Sequence, residues 1–453
     1  MDVCRLRHRP ITHFFIYLCK EIKILVEIKK GCFYRIKAQK ALIVNLVAVK
    51  NLREGCVLSE DVRDINGRLM LSKGQQINSN HIRIFKMWGI SEVRVNEDCR
   101  SAVNHGFSGD REKLLLATNT VTTVLQNLDT THPAIAEIYR AAIAYRYRKN
   151  LFILSEDRRP LPDNFKLDLS KGLKTQIAFS DLKLPEAPDI IIEYNKIIQD
   201  PMCSIDDIAD VVNRSPSLAA MLLKMANSAF YGFASKIDTV SRAINLIGTR
   251  ETSSLVMGIC TMKLFHDIPK ELVDVSSFLR HSLSCGILSR ILASRKNVPH
   301  TERFFVAGLL HDIGRTVWYK YFSEQAKLLL RMAEKTGICL YRIEQTCLGI
   351  NHGEISEYLL KKWNFPDTLI NSIVYHHSPL DSPDPESAGI VHLADIAINA
   401  LGLGHSGEQI IPAFEPEVWE HMRLTPSVLK TSIDLTVHQL EVMEVLFSEL
   451  QNG

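Results

Sequence analysis

Seven histidine and aspartate residues lie where the sequence predicts apolar helix faces: His281, His311, Asp312, His352, His376, His377 and Asp395. Imidazole nitrogens and carboxylate oxygens are donors that divalent iron, manganese and zinc accept in proteins. Taken singly, each residue could also be a core side chain that hydrogen bonds satisfy. Five separate helical segments direct these groups inward between positions 281 and 395, and this joint pattern favours a shared metal site.

The local patterns around these residues explain the inward placement. In VSSFLRHSLSCGILSRILA, His281 shares one helix face with residues at heptad-like spacing, namely Phe278, Cys285, Leu288 and Leu292. The apolar run FFVAGLL, directly before His311, predicts a buried helix. His352 and His377 align with apolar residues of their own helices, whereas His376 falls beside such a stripe.

Asp395 gives the strongest physical argument because it interrupts GIVHLADIAINALGL, a helix that is apolar nearly all round. An isolated carboxylate there would cost several kcal/mol, so it needs a partner. That partner could be a metal ion, a neighbouring histidine, or a buried cation such as Arg315. We expect one coordination sphere, with His281 and at least one of His376 and His377 beside it, formed by His311, Asp312, His352 and Asp395.

The order of these residues resembles the HD superfamily of metal-dependent phosphohydrolases, with GLLHDIG as the most specific motif. Upstream, SPSLAAMLLKMANSAFYGFASKIDTVSRAINLIG resembles the signature of the HDOD, or HD-related output, domain of bacterial signalling proteins. GINHGEISEYLLKKWNFP and IVYHHSP also match that family. The resemblance spans residues 176–400 and implies an all-helical HD-type domain.

The resemblance implies a regulatory or scaffolding role with protein partners, since HDOD domains are regarded as relatives without demonstrated catalysis. The alternative is a metal-dependent phosphohydrolase acting on a nucleotide or cyclic dinucleotide, with Asp312 bridging the ions and Arg315 stabilising charge. Two departures from HD-GYP phosphodiesterases argue against cyclic di-GMP hydrolysis. HHSPLDSPDP stands where their DG-x-GYP loop would follow, and Arg315 replaces the lysine of their HDIGK motif.

The chain is predicted to be mainly α, with a small α+β module ahead of the all-helical domain. The predicted divisions are a basic extension at 1–45, the α+β module at 46–100, a helical connector and linker at 101–175, the HDOD-like domain at 176–400 and its helical extension at 401–453. The charged, proline-containing stretch SEDRRPLPDN, residues 155–164, marks the main boundary.

The α+β module resembles the one often found ahead of HD-GYP domains, in LREGCVLSEDV and NGRLMLSKGQ. VRDINGRLML places Asn66-Gly67 between two alternating runs, which predicts a two-residue hairpin turn. NSNHIRIFKMWGI predicts a short helix with Asn78 or Ser79 as its N-cap. Residues 111–128 and 133–148 are predicted to be helical.

Charge and cysteine content exclude several protein classes. Residues 1–40 carry ten Lys/Arg against three Asp/Glu, so the remaining chain is slightly acidic although the net charge is +3. That balance argues against nucleic-acid binding. The 10 cysteines form no C-x-x-C pair, which indicates reduced thiols in a cytoplasmic protein. Lys20, Glu21, Lys23 and Glu27 interrupt the apolar stretch at 11–28, which excludes a membrane span there.

Three further segments are open to two interpretations each. The basic extension could be poorly packed or form a basic helix on a membrane surface. The Asn227-Ser228 segment could serve close helix packing or form a partner-binding surface. GLGHSG at 402–407 contains the glycines of a phosphate loop, but it follows no predicted strand and lacks the Lys-Ser/Thr that such a loop requires.

Overall fold

The structure is a computed structural model that describes residues 46–49, 52–63, 69–87, 90, 92–96, 108–152, 188–198, 200, 202–227, 231–233, 235–261 and 268–451. The chain divides into two compact units, residues 1–107 and 108–453. The predicted mainly α fold is confirmed. The basic extension and the predicted linker at 155–164 lie outside the described residues, so both stay predictions.

The first unit contains two antiparallel strand pairs and a short helix. Its elements are β1 (Leu46–Ala48), β2 (Val62–Arg63), β3 (Leu69–Leu71), α1 (Ser79–Met87) and β4 (Glu92–Arg94). β1 pairs with β4, and β2 pairs with β3. Residues 64–68 between β2 and β3 are outside the described residues, so the Asn66-Gly67 turn stays a prediction.

Helix α1 begins as its sequence predicts. The Asn78 side chain accepts a hydrogen bond from His81 N at 3.0 Å, so Asn78 is the capping residue. Phe85 on this helix is buried with Leu58, Ile77 and Val93 in the core of the unit. This unit matches the predicted small α+β module.

The second unit is helical throughout its described part. Its helices are α2 (Ser108–Val124), α3 (Pro133–Lys149), α4 (Asp189–Ile198), α5 (Ile205–Asn213), α6 (Pro216–Ala226), α7 (Val240–Ile247), α8 (Thr249–Thr261), α9 (Val275–Arg295), α10 (Glu302–Leu310), α11 (Ile313–Tyr321), α12 (Ser323–Thr336), α13 (Leu340–Leu348), α14 (His352–Lys362), α15 (Asp367–Val374), a 3-10 turn (Pro379–Asp381), α16 (Pro385–Leu401), α17 (Pro416–Met422) and α18 (Pro426–Gln451). In the described part of the chain, none of the helices has both the length and the apolar character needed to cross a bilayer.

Helix α9 lies at the centre of this unit and packs against α10, α16 and α18. Helix α14 contacts both α11 and α15, and α15 in turn packs against α10 and α16. In the middle of α9, Ser282, Ser284, Cys285 and Ser289 are as buried as the leucines, because neighbours surround this part of the helix.

Helices α2 and α3, the two predicted for the connector, belong to the second unit. Helix α3 packs against α16 and α18. Its Arg146 is buried and donates to Ala400 O at 2.7 Å and to Asn399 O at 3.2 Å. These are carbonyl groups at the C-terminal end of α16, where a cation complements the helix dipole. The contact anchors α3 to the helix that carries Asp395.

Candidate metal centre

The His311-Asp312 pair lies at the break between α10 and α11. His311 follows the last residue of α10, and Asp312 precedes the first residue of α11. Two glycines permit the close approach of neighbouring helices here. A Cβ at Gly308 would lie 2.5 Å from Cys285 O, and one at Gly314 would collide with His352 O. These contacts bring the His311-Asp312 pair against α9 and α14.

The remaining predicted residues come from helix ends and from one buried helix. His352 is the first residue of α14, whose start is fixed by a capping box between Asn351 and Glu354. His376 and His377 follow the end of α15. Asp395 lies in α16, where every residue from Ser387 to Leu401 is buried. The helix that carries Asp395 is thus buried on all sides, as its apolar sequence predicts.

All seven predicted residues converge in the interior and form two neighbouring sets. The first group consists of His281, Cys285, His311 and Asp395. The second group consists of Asp312, His352, His376 and His377. Within each group the potential ligand atoms lie within 4.8 Å of one another. The structure therefore shows two adjacent groups rather than the single coordination sphere expected from the sequence.

Asp312 spans the two groups with its two oxygens. Its Oδ2 lies 3.2 Å from His311 Nε2 in the first group. Its Oδ1 lies 3.2 Å from His352 Nε2 and 4.0 Å from His376 Nε2 in the second group. A carboxylate in this position can bridge two ions, which is the role that the sequence predicts for it.

Backbone and carboxylate oxygens orient three of the imidazoles. In each case Nδ1 bonds to an oxygen outside the groups, which leaves Nε2 directed into the cluster. The pairs are His311 with Gly308 O at 2.7 Å, His376 with Ile373 O at 2.6 Å, and His352 with Glu344 Oε2 at 2.6 Å. An Nδ1 that donates its proton leaves the Nε2 lone pair available to a metal ion.

The buried carboxylates attract positive charge. Burial opposes ionisation, but Arg315 and His311 outweigh it and hold the pKa of Asp312 well below its usual range. Hydrogen bonds from His281 and His311 likewise hold the pKa of Asp395 well below its usual range against burial. Burial disfavours a charged His311, yet Asp312 and Asp395 raise the pKa of His311 to about 10. Proton and metal ion therefore compete for the same negative charge.

The donor set fits a divalent cation. The side chains in and around the cluster include four buried carboxylates against the Arg315 guanidinium, namely Asp312, Glu344, Asp395 and Glu408. Several buried polar atoms of the described residues have no hydrogen-bond partner, and two of them, Asp312 Oδ1 and His377 Nε2, belong to the second group. Burial, followed by the neighbouring imidazoles, lowers the pKa of His376 and of His377 well below the usual value, so both present neutral lone pairs. The cluster could hold a divalent metal ion.

Arg315 is fully buried, and its donors are engaged by the protein. Nη1 donates to Ser406 Oγ at 2.9 Å and Nη2 to Glu408 Oε2 at 3.1 Å. Nε lies 3.3 Å from Asp312 Oδ1 and 3.6 Å from Glu344 Oε1. These contacts favour a positioning role behind the cluster over the predicted contact with a substrate phosphate.

Comparison with known proteins identifies the helical unit. A sequence profile of the HDOD domain matches residues 184–379. The chain contains an HDOD domain. The matched segment includes six of the seven predicted residues and ends before Asp395.

Relatives of known sequence or structure are similar at low identity. An uncharacterised protein of Treponema pallidum is 22% identical over 62% of this chain, which spans 57% of that protein's length. A solved HDOD domain protein of unknown function from Geobacter sulfurreducens is 25% identical, with 58% of this chain and 90% of that chain covered and a TM-score of 0.43. A structure from Marinobacter aquaeolei VT8, provisionally assigned to signal transduction, is 20% identical, with 91% and 99% covered and a TM-score of 0.48.

Five further residues in or around the cluster were not assigned to the site from the sequence. They are Cys285, Glu344, Asn399, Ser406 and Glu408. Two of them could have been predicted from their spacing in the sequence, because Cys285 and Asn399 lie four residues after His281 and Asp395, on the same helix faces. Ser406, in the GLGHSG loop, donates to Asp312 Oδ2. That loop supports the bridging aspartate.

The most recognisable family segment has a structural role at Asn227. Its side-chain amide donates to Leu223 O at 2.8 Å and to Ile237 O at 2.7 Å. Its Oδ1 accepts from Ile237 N at 2.7 Å. Asn227 thus ties the end of α6 to the segment before α7, while residues 228–230 lie outside the described residues.

A cleft of about 1180 Å³ in the HDOD-containing unit lies beside the cluster, between α9, α12 and the loop after α16. The described residues that line it include none of the seven predicted ones. The cleft reaches the cluster through Asn399, which donates to Asp395 Oδ1 at 2.7 Å, and through Glu408, which binds Arg315. It borders the supporting residues, not the predicted ligands.

Glu408 predicts a pH dependence of stability. Burial raises the pKa of Glu408 to about 7, although Arg315 and Leu340 N oppose the shift. The ordinary pKa of this carboxyl group is 4.5. Between pH 4.5 and pH 7, Glu408 keeps a proton in the folded state that it has lost in the unfolded state, so the free energy of unfolding falls as pH rises. From pH 5 to 6.5 we expect Glu408 to contribute a loss of about 2 kcal/mol in the free energy of unfolding.

Urea unfolding of chelator-treated protein at several pH values would test this. The variant Glu408→Gln should lack that contribution, because glutamine does not ionise. Glu357→Gln, at an exposed site paired with Lys361, should keep the slope of the parent protein. Equal slopes for Glu408→Gln and the parent would contradict the assignment.

Proposed function

We propose that this protein is a cytoplasmic signal-transduction protein whose HDOD domain is a regulatory or scaffolding module built on a metal centre, without catalytic turnover. The observation that carries the proposal is the burial of the predicted ligands. The most exposed of the seven side chains is His377, at 8%. Hydrolysis would need an ion that both water and a phosphate ester can reach. The six cysteines in the described part of the chain are free thiols, which supports a reducing compartment.

The helices that carry the ligands support a structural role for the ions. Ligands come from α9, the α10-α11 break, α14, the end of α15 and α16. An ion held by them would link five segments and add its binding free energy to folding. Residues 402–411 would respond to binding of the ion, since Ser406 donates to Asp312 and Glu408 accepts from Leu340 N at 2.8 Å. Such links support coupling between the centre and the cleft.

One observation favours the alternative, a metal-dependent phosphohydrolase acting on a nucleotide or cyclic dinucleotide. Two groups of donors share one aspartate, as in two-metal hydrolytic sites. Bound there, divalent ions would supply activation of water and neutralisation of phosphate charge. Arg315, however, is engaged by Glu408 and Ser406. The segment after His377, where HD-GYP phosphodiesterases have their DG-x-GYP loop, forms a short 3-10 turn. Protein partners and a nucleotide ligand stay predictions.

The test combines metal content, stability and turnover. Purified full-length protein should contain iron, manganese or zinc, and chelation should lower its Tm by on the order of 10 °C. Loaded protein should cleave phosphomonoesters, linear phosphodiesters and cyclic di-GMP no faster than the Asp312→Ala variant. Metal-dependent turnover that Asp312→Ala loses would establish the alternative. A well-folded protein that binds no metal would overturn the proposed metal centre.

A further inference from the structure

His377 is the residue at which the second group comes nearest to solvent. It is 8% exposed, whereas Asp312 is 2% exposed and both His352 and His376 are 0% exposed. The other three members of the group are therefore reached only through the protein interior. An ion that enters or leaves the second group passes most directly beside His377, so the side chain that lies against His377 bears on this exchange.

Tyr341, on α13, is that side chain. The ring centroids of Tyr341 and His377 are 4.6 Å apart with their planes at 46°, which is contact distance for two aromatic rings. The same tyrosine ring lies 6.1 Å from the imidazole of His352, at 77°. Tyr341 is half-buried, so it contacts two imidazoles of the second group and also reaches the surface. Its ring covers the exposed side of the group.

Aromatic rings hold His377 where oxygen atoms hold its neighbours. Nδ1 of His352 and Nδ1 of His376 are each bonded to an oxygen. For His377, no hydrogen bond from the described residues reaches Nε2. Its ring lies 3.9 Å from that of His376 and 5.1 Å from that of His352. Tyr341 is the third ring against it and is not itself a candidate ligand, so it can orient His377 without competing for the ion.

The helix that carries Tyr341 contacts the second group at two points. Three residues after Tyr341, Glu344 is bonded to His352 Nδ1 at 2.6 Å. Helix α13 thus presents a ring to one imidazole and a carboxylate to another. It packs mainly against α12, with which it shares a small apolar core that includes Leu329 and Ile343. A hairpin with its own core can open as a unit while the helices that carry the ligands stay folded.

We propose that Tyr341 is a positioning residue that holds His377 and closes the second group, and that it sets the rate at which ions enter and leave this group. The inference rests on the proposed metal centre and assigns an entrance to one of its two halves. The alternative is a tyrosine that only fills space at the surface. Loss of such a residue would lower stability and loosen both groups alike, whereas loss of a cover frees the ion of the second group alone.

Zinc release measures the exchange. Full-length protein is loaded with zinc and mixed with an excess of a colorimetric zinc chelator. Tyr341→Ala should release one ion at least about 10-fold faster than the parent protein, because loss of an outer-shell partner costs a metal site about 10- to 100-fold in affinity. The other ion should leave at the parent rate. Asp395→Asn, which alters the first group, should not accelerate the phase that Tyr341→Ala accelerates.

Two matched variants separate the ring from its other properties. Tyr341→Phe keeps the ring and loses only the hydroxyl group, so it should release zinc as the parent does. Tyr358→Ala removes a tyrosine that is 43% exposed on α14, the helix that begins with His352, and it should also behave as the parent. Should Tyr341→Ala not fold, Tyr341→Leu takes its place, since leucine keeps an apolar side chain but removes the ring.

The outcomes distinguish this inference from the proposed function. A parent protein that binds no zinc would overturn the metal centre itself. Zinc that leaves Tyr341→Ala no faster than the parent, or two ions accelerated equally, would overturn only the role of Tyr341. Release from Tyr341→Phe as fast as from Tyr341→Ala would likewise contradict closure by the ring.

Discussion

Asp312→Ala is expected to reduce the metal content from about two ions per chain to nearly none. Its oxygens approach one imidazole of each group at 3.2 Å, so alanine removes a donor from both groups at once. It also removes the negative charge that would neutralise the ions, and the neighbouring imidazole donors cannot replace that charge. Metal analysis of the purified variant, with folding checked by circular dichroism, measures the effect.

Asp395→Asn is the informative companion to that experiment. Asparagine keeps the shape and one oxygen but loses the charge, and Asp395 belongs to the first group alone. We expect weaker binding at the first group and an unchanged second group. Asp434→Ala, at a helix position where the carboxylate pairs with exposed Lys430, should leave the metal content unchanged. Full retention of metal by Asp312→Ala would refute the site.

Arg315→Met is expected to lower the free energy of unfolding by about 3–5 kcal/mol. The guanidinium is the cation that Asp312, Glu344 and Glu408 share in the interior. These carboxylates raise the pKa of Arg315 above its ordinary value in spite of burial, so its charge is retained. Methionine fills a similar space but leaves the buried carboxylates without this partner. Urea unfolding at fixed metal content measures the loss.

Two variants calibrate this result. Arg214, which pairs with Glu193 and is 62% exposed, provides the control, and Arg214→Met should cost no more than about 1 kcal/mol. The loss in the free energy of unfolding for Arg315→Lys should lie between those of Arg315→Met and Arg214→Met, since an ammonium keeps the charge but not the planar geometry of the guanidinium. If Arg315→Met and Arg214→Met lost equal stability, the buried carboxylates would not depend on Arg315.

Local pattern is enough to predict that the seven His and Asp residues of the cluster are buried. A charged residue within an apolar helix has few favourable environments, so Asp395 had to find a buried partner, and the structure places it 3.2 Å from His281. The His311-Asp312 pair follows an apolar run and lies at a helix break, both of which are short-range features. The helical fold class follows in the same way from apolar periodicity.

The division of the site into two groups could not be predicted, because it depends on how helices far apart in sequence cross. Gly308 and Gly314 permit contacts with Cys285 and His352 whose geometry no local pattern encodes. The same holds for Glu408, which reaches Arg315 from 93 residues away. Sequence spacing placed Cys285 on the inward face of α9 but gave no indication that it lies beside His311 and Asp395.

The sequence alone therefore determined the helical class, the HDOD resemblance and the buried His/Asp set, since burial of charge is a property of each local segment. Tertiary structure alone decided which oxygen of Asp312 faces which group, and that Arg315 serves carboxylates of the protein. Those features depend on separations of a few ångströms between distant segments, which are set only when the helices pack.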